Sequence, residues 1–349
     1  MKKSWWRRRW LWIALVAPVI IWLLSVTVWT WWAEEHPSQE RELRVQLHEL
    51  LQEQFPEQMR LPDHRLGFIP RGGEGRGDRH PDVILIHGLD EPGDIWDDMA
   101  PALREEGMEP WEFRYPNDHA IDRSVDLLAE RWAELPGEQP VVLVGHSMGG
   151  LVIRDFVSRV RHPVEGEPAV EGPPVRGTIL LGTPNHGSEL ARLRVWLGLR
   201  ELVAQTQEED FSPFAPLRSG TGAAKIDLRP GSQFLTKLNE RPWPEGIPLR
   251  LIGGMLGEPD PDLLDAVGGI AAELGTQEMP RQFEHWWRKL GEGVGDGVVP
   301  VSSLSLADAP PPTLVPASHR GMLVRSSSDE ERPPAIPHVL DILAEWEHP

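Results

Sequence analysis

At 349 residues the chain is long enough for one large α/β domain with additions, and its lack of cysteine excludes a disulfide framework, a thiolate metal site and a cysteine nucleophile. The formal net charge is −19 although the first 33 residues hold Lys2, Lys3, Arg7, Arg8 and Arg9 and no acid, so the body of the chain is more acidic still. An acidic body repels phosphate, which argues against nucleic acid as a partner.

The 24 positions from Trp10 to Ala33 carry no charge. As a helix they span about 36 Å at ~1.5 Å per residue, enough to cross a bilayer with some tilt. Pro18 is tolerated in such a helix. Trp5, Trp6, Trp10 and Trp12 mark one end and Trp29, Trp31 and Trp32 the other, as interfacial belts do. A cleaved signal peptide competes with this reading. Cutting after Ala33 would put bulky Trp31 at −3, where a small residue is needed, so an uncleaved anchor over 1–33 is favoured. The cations precede the span, which places the N-terminus in the cytoplasm and the body on the exported side.

Residues 34–62 follow as a charged segment. Leu43, Leu47, Leu50, Leu51 and Phe55 stand at i, i+4, i+7, i+8 and i+12, an amphipathic helix that is either a stalk or lies against the domain. Arg71 to Asp78 is Gly-rich loop.

The domain expected over 63–349 begins with the buried run Val83 to Ile86, ending in His87-Gly88-Leu89. A helix over 94–106, an alternating strand over 111–115 and an amphipathic helix over 121–135 come next. Val141 to Val144 is a second continuous apolar strand. It runs into Gly145-His146-Ser147-Met148-Gly149, and an apolar helical segment follows. Strand, sharp turn with Ser at its apex, then helix is the context of a nucleophile elbow. Further strands end at Gly182 and at Gly253-Gly254. Strand–helix alternation with continuous apolar strands predicts a mostly parallel sheet with helices on both faces.

Two stretches, about 188–247 and 258–291, exceed what the next strand needs and are expected as cap insertions. Leu190 to Val203 reads equally as a cap helix over a site or as an ordinary helix on the core. The chain closes on a helix over 336–346.

A serine hydroxyl needs a base to take its proton as it attacks. His319, after the short β-like run at 313–315, is the expected base, with His338 as the competitor. Asp296, in a Gly-Asp-Gly turn between Ser147 and His319, is the expected acid that orients the imidazole; Asp260, Asp262 and Asp308 are the spare acids. The oxyanion donors should be the backbone N–H groups of Met148 and Leu89. His87 and His146 are expected to pack or hydrogen-bond beside the site, and His186 to shape its rim. No His pair stands at i, i+4 beside a Glu, so neither a zinc site nor any other cofactor is expected.

Together His87-Gly88-Leu89, the Gly145–Gly150 turn, the loop from Gly182 to Ser188, Gly295 to Pro300 and Ser318-His319 resemble the α/β-hydrolase superfamily over roughly 80–345. The likeness is greatest to its bacterial triacylglycerol lipase and esterase members. It implies the same assignment: Ser147 nucleophile, Asp296 acid, His319 base, Leu89 and Met148 as oxyanion donors. Many such lipases bind calcium through an Asp two residues after the catalytic His; here Gly321 stands there, so no calcium is expected. The resulting expectation is a membrane-anchored serine ester hydrolase of the carboxylesterase or lipase kind, acting on small-molecule or lipid-like acyl esters. An acyltransferase or thioesterase with the same triad, or a non-catalytic membrane interaction module on the same fold, are the alternatives.

Overall fold

The computed structural model describes residues 3–62, 66–72, 80–89, 91, 93–189, 215–218, 220–255, 257, 267, 278–325 and 332–347. At its centre is a seven-stranded sheet: β1 (Gly67–Pro70), β2 (Val83–Ile86), β3 (Pro110–Arg114), β4 (Val141–His146), β5 (Val175–Leu181), β6 (Leu249–Met255) and β7 (Thr313–Pro316). The strand order is β1-β3-β2-β4-β5-β6-β7, parallel throughout except for β1, which pairs antiparallel with β3. The chain moves from β2 outward to β3, then returns to the other side of β2 for β4. That reversal opens a crevice at the carboxyl ends of β2 and β4, where open α/β sheets place their sites.

The strands are continuous apolar runs because both faces are covered. Ile84, Ile86 and Leu143 pack on one face with Ile121, Val125, Leu128 and Trp132 of α5 (Ile121–Trp132). Val83, Leu85, Val142 and Val144 pack on the other, with Met99 and Leu103 of α4 (Met99–Glu105) and with Ile336, Val339 and Leu343 near the C-terminus. The C-terminal helix spans Ala335–Glu347, with Pro337 accommodated in its first turn, where the missing N–H has no intrahelical partner to lose. The elbow helix α6 (Met148–Asp155) continues into a π-helical turn at Phe156–Arg161.

Three features differ from the sequence expectation. First, β1 is not among the expected strands; Phe68, its core-facing residue, sets its ring tilted against Phe113 and edge-on to Trp132, with centroids 5.0 Å and 6.2 Å apart. A four-residue strand containing Gly67 and Pro70 is too short to show alternation. Second, the supposed insertion 188–247 is in part the ordinary β5–β6 crossover. Helices α8 (Ala223–Asp227) and α9 (Gln233–Glu240), which follow the single turn α7 (Ala215–Arg218), put Ala224, Phe234, Leu235 and Leu238 into the main core. Leu190 to Val203, the residues of the expected cap helix, lie outside the described residues, as does most of 258–277. Third, α10 (Met279–Val294), within the second expected insertion, runs straight into Gly295-Asp296 and so delivers a residue to the site.

Ahead of the domain, α1 (Lys3–Glu35) includes a stretch, Val16–Glu35, long and apolar enough to cross a membrane by length and composition. Little of that stretch is buried against the domain, unlike a core helix; a signal sequence would have the same composition. His36 breaks the helix and Pro37 opens α2 (Pro37–Gln54), which ends before Pro56 and the short α3 (Pro56–Met59). α2 lies along α8.

Candidate active site

The site is built where three strands end side by side. Ile86 of β2 pairs with Gly145 of β4, and Leu181 of β5 pairs with His146, so the chain after each strand enters one crevice. Ser147 sits at the turn between β4 and α6 with φ 54° and ψ −126°, the one non-glycine residue with positive φ among the described residues. Such strain persists only where the surroundings impose it. Here Ser147 N–H donates to Leu181 O at 2.8 Å, pinning the turn to β5. The flanking glycines are sterically required. A Cβ on Gly145 would lie 2.7 Å from Gly150 N, and one on Gly149 would collide with Ile86 O. One on Gly88 would lie 2.7 Å from Ser147 Cβ, which shows how closely the loop after β2 approaches the serine. Leu89 follows in that loop and is buried; Met148, also buried, is the first helical residue after Ser147. Hydrogen-bond donors at the start of a helix favour negative charge.

Asp296 and His319, far apart in sequence, meet at 2.6 Å between Asp296 Oδ2 and His319 Nδ1. The pairing is held on the other side as well. Asp296 Oδ1 accepts from Val298 N–H at 2.9 Å and Val299 N–H at 2.7 Å, and His319 N–H donates to Asp296 O at 2.9 Å. A carboxylate engaged this way fixes the proton on Nδ1 and leaves the lone pair on Nε2. His319 Nε2 is buried and has no hydrogen-bond partner. Burial pushes the imidazole below its usual 6.5, against the pull of Asp296, so the ring is neutral and basic near pH 7. Gly182, next after Leu181, keeps the pair close to the elbow: a Cβ there would lie 3.2 Å from both Asp296 Oδ2 and His319 Nδ1.

The remaining candidates separate by position. His338 is exposed on the C-terminal helix and Asp308 is exposed, while Asp260 and Asp262 lie outside the described residues. His186 is exposed and faces Ser305 O through Nε2 at 3.0 Å. His87 is buried, stacked on Tyr115 at 4.7 Å, and Tyr115 donates to its carbonyl at 2.6 Å.

Sequence reasoning missed Glu91. Its buried carboxylate accepts from Gly88 N–H at 2.7 Å and from His146 Nδ1 at 2.9 Å, while His146 Nε2 faces His319 O at 2.9 Å. The His319 carbonyl can only accept, so His146 Nε2 carries a proton, and the Glu91 carboxyl, held well below its usual range, accepts from Nδ1–H as well. The pair is therefore an imidazolium with a carboxylate. Burial opposes both charges, but each group stabilises the other: Glu91 is held down to about 2 and His146 is pushed above its usual 6.5. Its contribution to stability is present above pH 4.5 for Glu91 and is lost as pH falls through about 2. For His146 it is present below 6.5 and lost as pH rises through its raised value. This pair joins the loop after β2, the elbow and the His319 loop. The only sequence signal was an acid three residues past Gly88, in a loop that leaves a buried strand.

Glu91→Gln is expected to leave His146 without a counter-charge and to lower stability by about 3–5 kcal/mol, as breaking one side of a buried pair does. The substitution removes the upward pull of Glu91 on the His319 ring, but neutralising His146, 4.6 Å away between centroids, removes a larger downward push, so the acidic limb of kcat/KM moves to higher pH. Urea denaturation and a pH–rate profile measure the two effects. An unshifted limb would show that the pair does not act on His319.

A family model described as "Alpha/beta hydrolase family" matches residues 83–340, from the first residue of β2 to the C-terminal helix. Among curated proteins, "Protein SERAC1" of Bos taurus is 31% identical over 33% of this chain and 21% of its own length. The chain thus spans about a fifth of the length of the first curated relatives it matches. "Pimeloyl-[acyl-carrier protein] methyl ester esterase" of Aeromonas hydrophila is 26% identical over 80% of this chain and 97% of that protein. Among solved structures, the mature form of "Bacillus licheniformis lipase BlEst2" is 17% identical, covers 79% of this chain and 97% of that one, and superposes with a TM-score of 0.47.

Proposed function

The chain belongs to the alpha/beta hydrolase family, and we propose that it is a membrane-anchored serine hydrolase of carboxylic esters, with lipid-like acyl esters as its substrate class. The observation that carries the reading is the Asp296–His319 pair, whose Nε2 is left without a partner beside a serine on a strained turn. Ser147 Oγ attacks the ester carbonyl as His319 Nε2 takes its proton. The oxyanion is met by the N–H groups of Met148 and Leu89; losing one such donor typically costs about 3 kcal/mol in the transition state. The imidazolium, stabilised by Asp296, then protonates the leaving alkoxide, leaving an acyl-enzyme. Water, deprotonated by the same imidazole, releases the acid and restores Ser147. The ester-cleaving names among the relatives support this chemistry, and the long apolar α1 supports an anchor that keeps the site on the exported side near a bilayer.

A fluorophosphonate probe tests the reading. The expected result is one adduct, on the peptide containing Ser147, and none in Ser147→Ala. No adduct on the wild type, or equal labelling of both, would sink it. A series of acyl esters of increasing chain length then reports the preferred acyl group.

A further inference from the structure

Helix α2 is mounted with its polar side inward. Its Glu40 and His48 are buried to 2% and 5% exposure, while Leu43, Leu47 and Leu50 are 46%, 48% and 53% exposed. The inward side is held by charge. Arg41 clasps the buried Asp227 of α8 at 2.6 Å and 3.2 Å and also reaches Asp122 at 2.8 Å. Arg44 bonds Glu40 and the Thr221 carbonyl, and Glu40 meets Arg229 at 3.4 Å. His48 Nε2 meets His119 Nε2 at 2.7 Å. At about 100° per residue the three leucines form a strip roughly a third of a turn from this docked side. Exposed Glu42, Gln46 and Glu53 occupy the third side. An ordinary surface helix buries its apolar stripe; this one leaves it bare.

The strip is continuous in the chain with another bare apolar surface. Val19, Ile20, Ile21, Trp22, Leu24, Val28 and Trp31 of α1 are all exposed, and α1 passes into α2 across one non-helical residue, His36. A single solvent accounts for both. We infer that α2 lies in the interface plane of the bilayer, its Leu43–Leu47–Leu50 strip sunk into the lipid and its basic side clamping the catalytic domain against the membrane. The inference rests on the reading of residues 10–33 as an anchor. The domain is then held against its lipid surface by a rigid, charge-bonded bracket and does not hang from a flexible stalk.

The absence of cysteine makes the test direct. Leu43→Cys, Leu47→Cys and Leu50→Cys, the water-facing Glu42→Cys and Glu53→Cys, and Ile21→Cys are made singly and spin-labelled in the full chain in phosphatidylcholine vesicles. Collisions with oxygen and with a water-soluble nickel chelate are then compared. Labels at 43, 47 and 50 are expected to gain oxygen contact and lose nickel contact, at depths of about 5–10 Å. Labels at 42 and 53 should show the reverse. Nickel contact at 43, 47 and 50 equal to that at 42 and 53 overturns the inference. So do spin–spin broadening, which would mean a second copy on the strip, and labels shielded from both reagents, which would mean another segment of this chain covers it. The label at 21 reports the anchor separately. Lipid at 21 with water at 43–50 sinks the bracket alone. Water at 21 sinks the anchor, while lipid at 43–50 would still support the bracket.

Discussion

Ser147→Ala is expected to lower kcat for ester hydrolysis by about 10⁶-fold, the loss seen when the nucleophile of a triad is removed, with KM little changed. The loss is this large because the hydroxyl is the atom that makes the new bond, and no other nucleophile stands where Ser147 does. Gly145 and Gly149 are pressed between strand and helix, and the neighbouring His146 side chain is engaged at both nitrogens. The oxyanion donors are backbone groups and survive the substitution, so about 10³–10⁴-fold rate enhancement over water should remain. Stability is not expected to fall with activity. Alanine must adopt the same positive φ as serine, so the turn is equally strained in both, and the serine side chain makes no helix-capping hydrogen bond that would be lost. Stopped-flow or spectrophotometric assay with a chromogenic ester, beside a urea denaturation curve, separates the two quantities. A variant that keeps more than a hundredth of the activity would remove Ser147 from the reaction.

Asp296→Asn is expected to cost about 10⁴-fold in kcat while leaving the fold intact, because it reverses a tautomer. Asp296 accepts three hydrogen bonds, two from Val298 and Val299 N–H on Oδ1 and one from His319 Nδ1 on Oδ2. Asparagine has one accepting oxygen. The two backbone donors claim it, so the amide NH₂ turns toward His319 and the ring must accept through Nδ1. The proton then sits on Nε2, the atom that has to take the proton of Ser147. ¹⁵N chemical shifts of the imidazole nitrogens report the exchange of tautomers directly, and kcat reports its consequence. A loss of less than tenfold, or a shift pattern equal to wild type, would assign the orientation of His319 to the Ser318–Gly321 loop rather than to this carboxylate.

Much of the fold was legible because its signals are local. Val83 to Ile86 and Val141 to Val144 are uninterrupted apolar runs, and only a strand covered on both faces tolerates them. The glycines beside Ser147 announced a turn in which strand and helix approach within contact distance of their backbones. β1 was illegible because its four residues pair at an edge and carry one core side chain, Phe68. The cap was over-assigned because helices α8 and α9 are five and eight residues long, too short for a periodic pattern to declare which surface Ala224, Phe234, Leu235 and Leu238 meet.

The sequence by itself determined the order of the strands from β2 onward, the turn around Ser147 and the apolar length of α1, since these depend on neighbours within a few residues. It left open which of several acids would reach which histidine. The sequence named Asp296 for His319 among spare acids, but nothing in it paired Glu91 with His146; only the tertiary structure made that pair, because a carboxylate's partner is set by where the strand ends come together. The same holds for α2. Its leucine pattern predicted a helix with an apolar side, and ordinary burial would turn that side inward. Asp227, buried at the end of α8, instead draws Arg41 of α2 inward, and leaving such a buried carboxylate without its partner is strongly destabilising.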